Sequence, residues 1–206
     1  MSARAIIAAC AAIVVASCAS QGPTAGAGAG WQPSPGSTAI ALQNPGFEEP
    51  TRPGEICAVN WNCTMHNDPF SFRFFHDEGG GTSGARGYCI ESVGREPWGR
   101  MSQVFGMEKA APLRGAHVKL SVAMKLDAVT SGTAGPLLIA QGGSGQLLGN
   151  AVNLQPARNG WQRLETEMDV PAGTFLLEMG ILLQGKGKVC FDDVRLERAV
   201  KPAGPV

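Results

Sequence analysis

Residues 117–126 read His-Val-Lys-Leu-Ser-Val-Ala-Met-Lys-Leu, so Val118, Leu120, Val122, Met124 and Leu126 recur at every second position with polar or small residues between them. A period of two belongs to an extended chain whose successive side chains point to opposite faces, one buried and one wet. The same beat returns at 162–170, where Leu164, Thr166, Met168 and Val170 alternate with Arg163, Glu165, Glu167 and Asp169. It returns again at 175–183, where Phe175, Leu177, Met179, Ile181 and Leu183 share a face. Burial on one side only is the habit of antiparallel sheets. Shorter runs near 71–76, 87–93, 101–107, 136–141 and 146–154 read as further strands, and no stretch shows a convincing helical period. Pro171-Ala172-Gly173 and Gly185-Lys186-Gly187-Lys188 stop the strands, and Gly and Pro together make a fifth of the 206 residues. The expected fold is therefore all-β: a jelly-roll β-sandwich of about eight to ten antiparallel strands in one domain.

That domain is expected over 39–198, behind an export signal and a tether. Residues 1–17 run from a basic start at Arg4 through an apolar stretch at 5–16 to Ser17, the order of a signal peptide. The apolar run is too short to span a bilayer, which takes about 20 helical residues. Val15-Ala16-Ser17-Cys18 resembles the lipobox of bacterial lipoproteins. The resemblance implies cleavage before Cys18, lipidation of that residue, and a domain held on a membrane by several acyl chains. Ala19 and Ser20 follow without an acidic residue, which favours the outer membrane, with the domain periplasmic or surface-exposed. Residues 18–38 are rich in Gly, Pro, Ala and Ser and read as a flexible linker that includes Trp31; residues 199–206 read as a disordered tail. Seventeen basic residues balance seventeen acidic ones, so charge gives no case for a nucleic-acid partner.

Outside the signal and Cys18, four cysteines remain: Cys57, Cys63, Cys89 and Cys190. An even number in an exported chain points to disulfides, and four cysteines allow three pairings. We expect Cys57 to pair with Cys63 as a local clasp and Cys89 with Cys190 as a link between an early strand and the last one. A zinc site of four thiolates would want paired short spacings, which these are not.

Asn44-Pro45-Gly46-Phe47-Glu48, Gly160-Trp161-Gln162, Val170-Pro171-Ala172 and the closing Phe191-Asp192-Asp193-Val194-Arg195-Leu196-Glu197 resemble the galactose-binding-like jelly rolls, among them the carbohydrate-binding modules of bacterial polysaccharide enzymes. The likeness covers 40–198. It implies a sandwich that acts by binding, and a structural calcium ion where the first and last strands meet, with Glu48 and Asp192 as its candidate ligands. If Val194 and Leu196 face the core, Asp192 does too. An inward carboxylate must be paired, hydrogen-bonded or metal-bound. The alternatives to calcium are hydrogen bonds to Asp192 or a bulge that turns it outward.

Sugar rings stack on flat aromatic faces, and Trp61, in Asn60-Trp61-Asn62, and Trp98, in a polar turn, are the candidate ligand-binding residues. Trp161 and most of Phe70, Phe72 and Phe74 are expected in the core, with Phe75 beside Arg73 on the other face. His76-Asp77-Glu78 and the glycines after it read as a solvated loop. No nucleophile elbow, phosphate loop or catalytic Cys–His pairing is present. The expected function is a lipid-anchored envelope module that binds polysaccharide and has no enzyme activity. The alternative is an envelope assembly subunit whose sandwich face meets a protein.

Overall fold

The computed structural model describes residues 32–126 and 131–201. Cys18, Trp31 and the signal segment lie outside the described residues. Two antiparallel sheets of six strands pack face to face. The strands are β1 (Thr38–Ile40), β2 (Asn62–Met65), β3 (Phe72–Glu78), β4 (Arg86–Ser92), β5 (Trp98–Phe105), β6 (His117–Leu126), β7 (Thr133–Gln141), β8 (Leu147–Val152), β9 (Gln155–Pro156), β10 (Arg158–Asp169), β11 (Leu176–Gln184) and β12 (Lys188–Arg198). The first sheet runs β10-β6-β12-β4-β3 with β1 also on β12; the second runs β2-β5-β11-β7-β8 with β9 also on β7. Among the described residues, helix is confined to a four-residue turn at Met107–Ala110 and a 3-10 turn at Ala111–Leu113.

The alternating segments behave as their period dictates. Val118, Leu120, Val122 and Met124 of β6 are fully buried, Leu164, Thr166, Met168 and Val170 turn inward at β10, and Leu177, Met179, Ile181 and Leu183 of β11 face them from the second sheet. Phe175 breaks the expectation: it precedes β11 and is 41% exposed. Trp161 is also not core. It sits beside Gly160, which has φ 78°, at an irregularity in the β10–β6 ladder that leaves the indole only half-buried. The His-Asp-Glu segment ends β3 instead of forming a loop.

The tether joins the domain earlier than its composition implied. Ser34 donates through its N–H and its hydroxyl to Glu197 at 3.0 and 2.9 Å, and β1 pairs with the end of β12. At the other end the tail stays attached beyond residue 198, with Ala199 donating to the His117 carbonyl and Lys201 paired to Asp169. Low-complexity composition signals that a segment cannot build a core, yet it leaves its backbone and hydroxyls free to bond to one.

β12 changes neighbours midway. Residues 188–191 pair with β4, residues 196–198 pair with β1, and between them Asp192 and Asp193 form a bulge with Asp193 at φ 51°. Cys190 lies directly opposite Cys89 in the β12–β4 register, and the two are joined; Cys57 is joined to Cys63.

Candidate functional site

The two outer faces of the sandwich differ in what they leave available. On the first sheet β6, β10 and β12 place polar side chains side by side, and these answer one another: Lys119 with Glu197, the His117 ring with Glu167 and Asp169, and Arg163 and Arg195 both with Asp193. The Glu197 hydrogen bond holds the Lys119 ammonium above its ordinary pKa. The N-terminal segment closes over part of this face through Ser34.

On the second sheet the outward residues form a cleft of about 660 Å³. One wall is the loop 54–57; the floor and the far side come from Asn62 and Thr64 of β2, Arg100, Ser102 and Val104 of β5, and Glu178 of β11. The β5–β11 register sets Gly180 opposite Ser102, with Arg100 and Glu178 two residues away in opposite directions. Their long side chains meet above that pair, Arg100 Nε lying 3.2 Å from a Glu178 oxygen, and Arg100 Nε also donates to Thr64 Oγ1 at 2.9 Å. Gly180 lets β11 lie close against β5: a Cβ there would stand 2.2 Å from the Met101 carbonyl oxygen and 2.7 Å from Ser102 Cβ. The Glu178 side chain is only 6% exposed, so the arginine is the partner its charge requires. A cleft of this size with a few fixed polar groups suits a small ligand or one segment of a chain-like ligand.

The cleft's wall is held by covalent chemistry. Cys57 and Cys63 both line it, and their disulfide ties the loop to β2.

The candidate tryptophans part company. Trp61 is 5% exposed; its ring packs 5.1 Å from Phe47 and its indole N–H donates to the Asn44 carbonyl at 3.0 Å. Trp61 lines the cleft yet offers it little surface, because the loop that precedes it supplies both an aromatic neighbour and an acceptor. Trp98 begins β5 on the outward face, two residues from Arg100, and is half-buried. The Arg100 guanidinium lies 5.4 Å from its ring centroid and the His66 ring meets it edge-on at 6.1 Å. Trp98 therefore steadies the cleft arginine from behind.

Glu48 and Asp192 both reach the glycine-rich turn at 82–84. Asp192 is fully buried, and its carboxylate accepts from the N–H groups of Thr82, Ser83 and Asp193 at 2.6, 2.7 and 2.6 Å and from the hydroxyls of Thr82 and Ser83. Glu48 accepts from the Arg86 N–H at 3.1 Å, and its carboxylate fills the space over Gly84 that a side chain there would need. Two carboxylates and two hydroxyls are the hard oxygens that calcium takes. Asp77 lies within 4.8 Å of the Cys89 and Cys190 sulfurs, but those are bonded to each other and offer no thiolate to a metal.

Arg100 and Glu178 escaped the sequence reading. The signal was present in Leu176-Leu177-Glu178-Met179-Gly180-Ile181, where one acid interrupts an apolar strand. An acid in that setting must find a partner or a ligand.

No protein-family model matches the sequence, and no curated protein matches it. Solved structures do. The C-terminal family 22 carbohydrate-binding module of Clostridium thermocellum Xyn10B superposes with a TM-score of 0.55 at 13% identity, covering 76% of this chain and 93% of that one. The CBM22-1 xylan-binding domain of Paenibacillus barcinonensis Xyn10C gives 0.52 at 19% identity, covering 77% and 93%. The enzymatically active domain of the bacteriophage CBA120 tailspike protein 4 gives 0.53 at 15% identity, and there the match covers 75% of this chain but spans only 21% of the tailspike chain. At these identities the likeness establishes a shared fold, a β-sandwich of two antiparallel sheets.

Proposed function

We propose that this protein binds a polysaccharide chain in the cleft on the second sheet and does not cleave it. The observation that carries the reading is the Arg100–Glu178 ion pair in the cleft, its carboxylate buried and its guanidinium partly exposed, with Thr64, Asn62 and Ser102 around it. Such a set offers fixed donors and acceptors to sugar hydroxyls at a depth that a single chain can reach. The fold it shares with a xylan-binding domain supports the same class of ligand. Binding without turnover is favoured because Glu178 is tied to Arg100, whereas hydrolysis needs two carboxylates across the bond, one free to donate a proton. Glu55, the other acid of the lining, is half-exposed and turned toward Arg52 at 3.7 Å.

The test is calorimetric titration with xylohexaose, followed by product analysis of the mixture. We expect Arg100→Ala to weaken binding at least tenfold, because it removes one polar partner and leaves Glu178 buried without its counter-charge. Glu178→Gln keeps the shape and should weaken binding less. Equal binding by wild type and Arg100→Ala would move the site away from this cleft, and shortened products would make the protein an enzyme.

The reading places the domain on the bacterial envelope through a lipid on Cys18. Its support is the Val15-Ala16-Ser17-Cys18 motif. Cys18→Ser should abolish labelling by a fatty-acid analogue and shift the protein from the membrane to the soluble fraction. Unchanged labelling would remove the anchor.

A further inference from the structure

Beside the polar cleft lies a second groove of different chemistry. It has a volume of about 550 Å³ and is lined by Ile56, Pro69, Phe70, Phe72, Phe74 and Phe75, with Arg73 as its one charged residue. Ile56 lines both depressions and is 59% exposed, so the polar cleft and the apolar groove share a wall. Phe70 is 84% exposed, contrary to the expectation that it would join Phe72 and Phe74 on a buried face, because it falls in the turn before β3 begins.

That turn holds the ring out firmly. Asp68 accepts from the Phe70 N–H at 2.9 Å and from the Ser71 hydroxyl at 2.8 Å, and the Asp68 N–H donates to Glu96, which also meets His66 at 2.7 Å. Burial of an apolar ring is favourable, so a phenylalanine fixed in water on a braced loop, over a groove of other phenyl rings, presents a face for something apolar. The groove has the volume of a small-molecule site, whereas a stable protein interface needs roughly 800 Å² from each partner. A carbon-lined pocket that continues a polar one fits a ligand that is itself polar in one part and apolar in the next.

Resting on the polysaccharide reading above, we propose that the groove at Phe70 binds an aromatic acyl group esterified to a sugar of the same chain that occupies the cleft. Ile56 is the point at which the chain passes from hydroxyl recognition to ring contact. Phe70, Phe74 and Phe75 supply the faces and edges against which an aromatic ring packs in offset or edge-to-face geometry. The protein thereby distinguishes decorated from plain polysaccharide.

The experiment titrates xylohexaose, xylohexaose carrying one benzoyl ester, and methyl benzoate into the wild-type domain, Phe70→Ser and Arg100→Ala. Phe70 is exposed, so its replacement leaves the core intact. We expect the benzoylated sugar to bind wild type about tenfold tighter than the plain one, which corresponds to about 1.4 kcal/mol. Phe70→Ser should erase that difference without changing the affinity for plain xylohexaose, and Arg100→Ala should weaken both sugars alike. Equal affinity of wild type for the two sugars, or an equal loss of both in Phe70→Ser, would overturn the proposal. So would a dimer of the free protein that Phe70→Ser converts to monomer, because the groove's occupant would then be a second copy. If neither sugar binds, methyl benzoate decides: binding that Phe70→Ser abolishes keeps the groove as an aromatic-acyl site and sinks only the xylan reading, whereas no binding overturns both.

Discussion

Replacing Asp192 with asparagine should destabilise the domain by about 3 kcal/mol, the cost of leaving a buried donor unpaired together with the loss of charge-assisted hydrogen bonds. Three backbone N–H groups, from Thr82, Ser83 and Asp193, converge on this carboxylate with two hydroxyls, and the residue is fully buried. Asparagine supplies one oxygen and replaces the other with an NH₂ that faces donors. At least one buried N–H is left without a partner at about 1–3 kcal/mol, and the remaining bonds lose the strength that charge lends them. For a domain of this size each kcal/mol moves the melting temperature by about 2–4 °C, so a fall on the order of 10 °C is expected in a thermal melt. A melting temperature within 2 °C of wild type would show that the cradle carries little of the fold's stability.

The same melts test the ion. If calcium sits between Glu48 and Asp192, millimolar calcium should raise the melting temperature of metal-stripped wild type by mass action, a chelator should reverse the rise, and Asp192→Asn should respond to neither. A wild type indifferent to calcium would leave Asp192 held by its hydrogen bonds alone.

Phe47→Ala is the second substitution with a large expected effect, about 3–5 kcal/mol. The Phe47 ring is fully buried and packs against Trp61, Tyr88 and Phe191 at centroid distances of 5.1, 5.7 and 5.3 Å. It joins the loop ahead of β2 to both β4 and β12, so its loss opens a cavity beneath the cleft. The backbone adds a finer expectation. Phe47 has φ 55°, a left-handed conformation that costs a residue with a Cβ about 1–2 kcal/mol. Alanine keeps that strain and glycine removes it. Phe47→Gly should therefore be at least as stable as Phe47→Ala in urea unfolding, against the usual order of the two residues. A Gly variant clearly less stable than the Ala variant would mean that the turn relaxes out of this conformation once the ring is gone.

Both substitutions act where the chain ends of the sandwich meet, and only part of that region could be read in advance. The closing Phe191-Asp192-Asp193-Val194 was legible as a strand carrying an inward acid, because period two assigns faces without knowledge of neighbours. The five donors that this acid requires were legible only as a need. The partners that meet it, Thr82 and Ser83, lie about 110 residues away. Likewise the Cys57, Cys63, Cys89 and Cys190 framework could be expected from number and compartment, while the pairing of Cys89 with Cys190 depends on β4 lying beside β12.

Strand existence and buried faces in β6, β10 and β11 were determined by the sequence itself, since alternation is local and water acts on every exposed face alike. Which tryptophan would be covered was not local. Trp61 sits in a polar tripeptide that reads as surface, and it is buried because the 44–47 turn, a segment earlier in the chain, folds over it with a ring and a carbonyl. The cleft was less local still. Arg100 and Glu178 become neighbours only when β5 pairs with β11 in a register that puts Gly180 against Ser102, and no property of either strand alone selects that partner. Faces are set by the chain's own alternation, whereas strand order, and with it the site, is set by which long-range pairing buries the most apolar surface while leaving no buried charge alone.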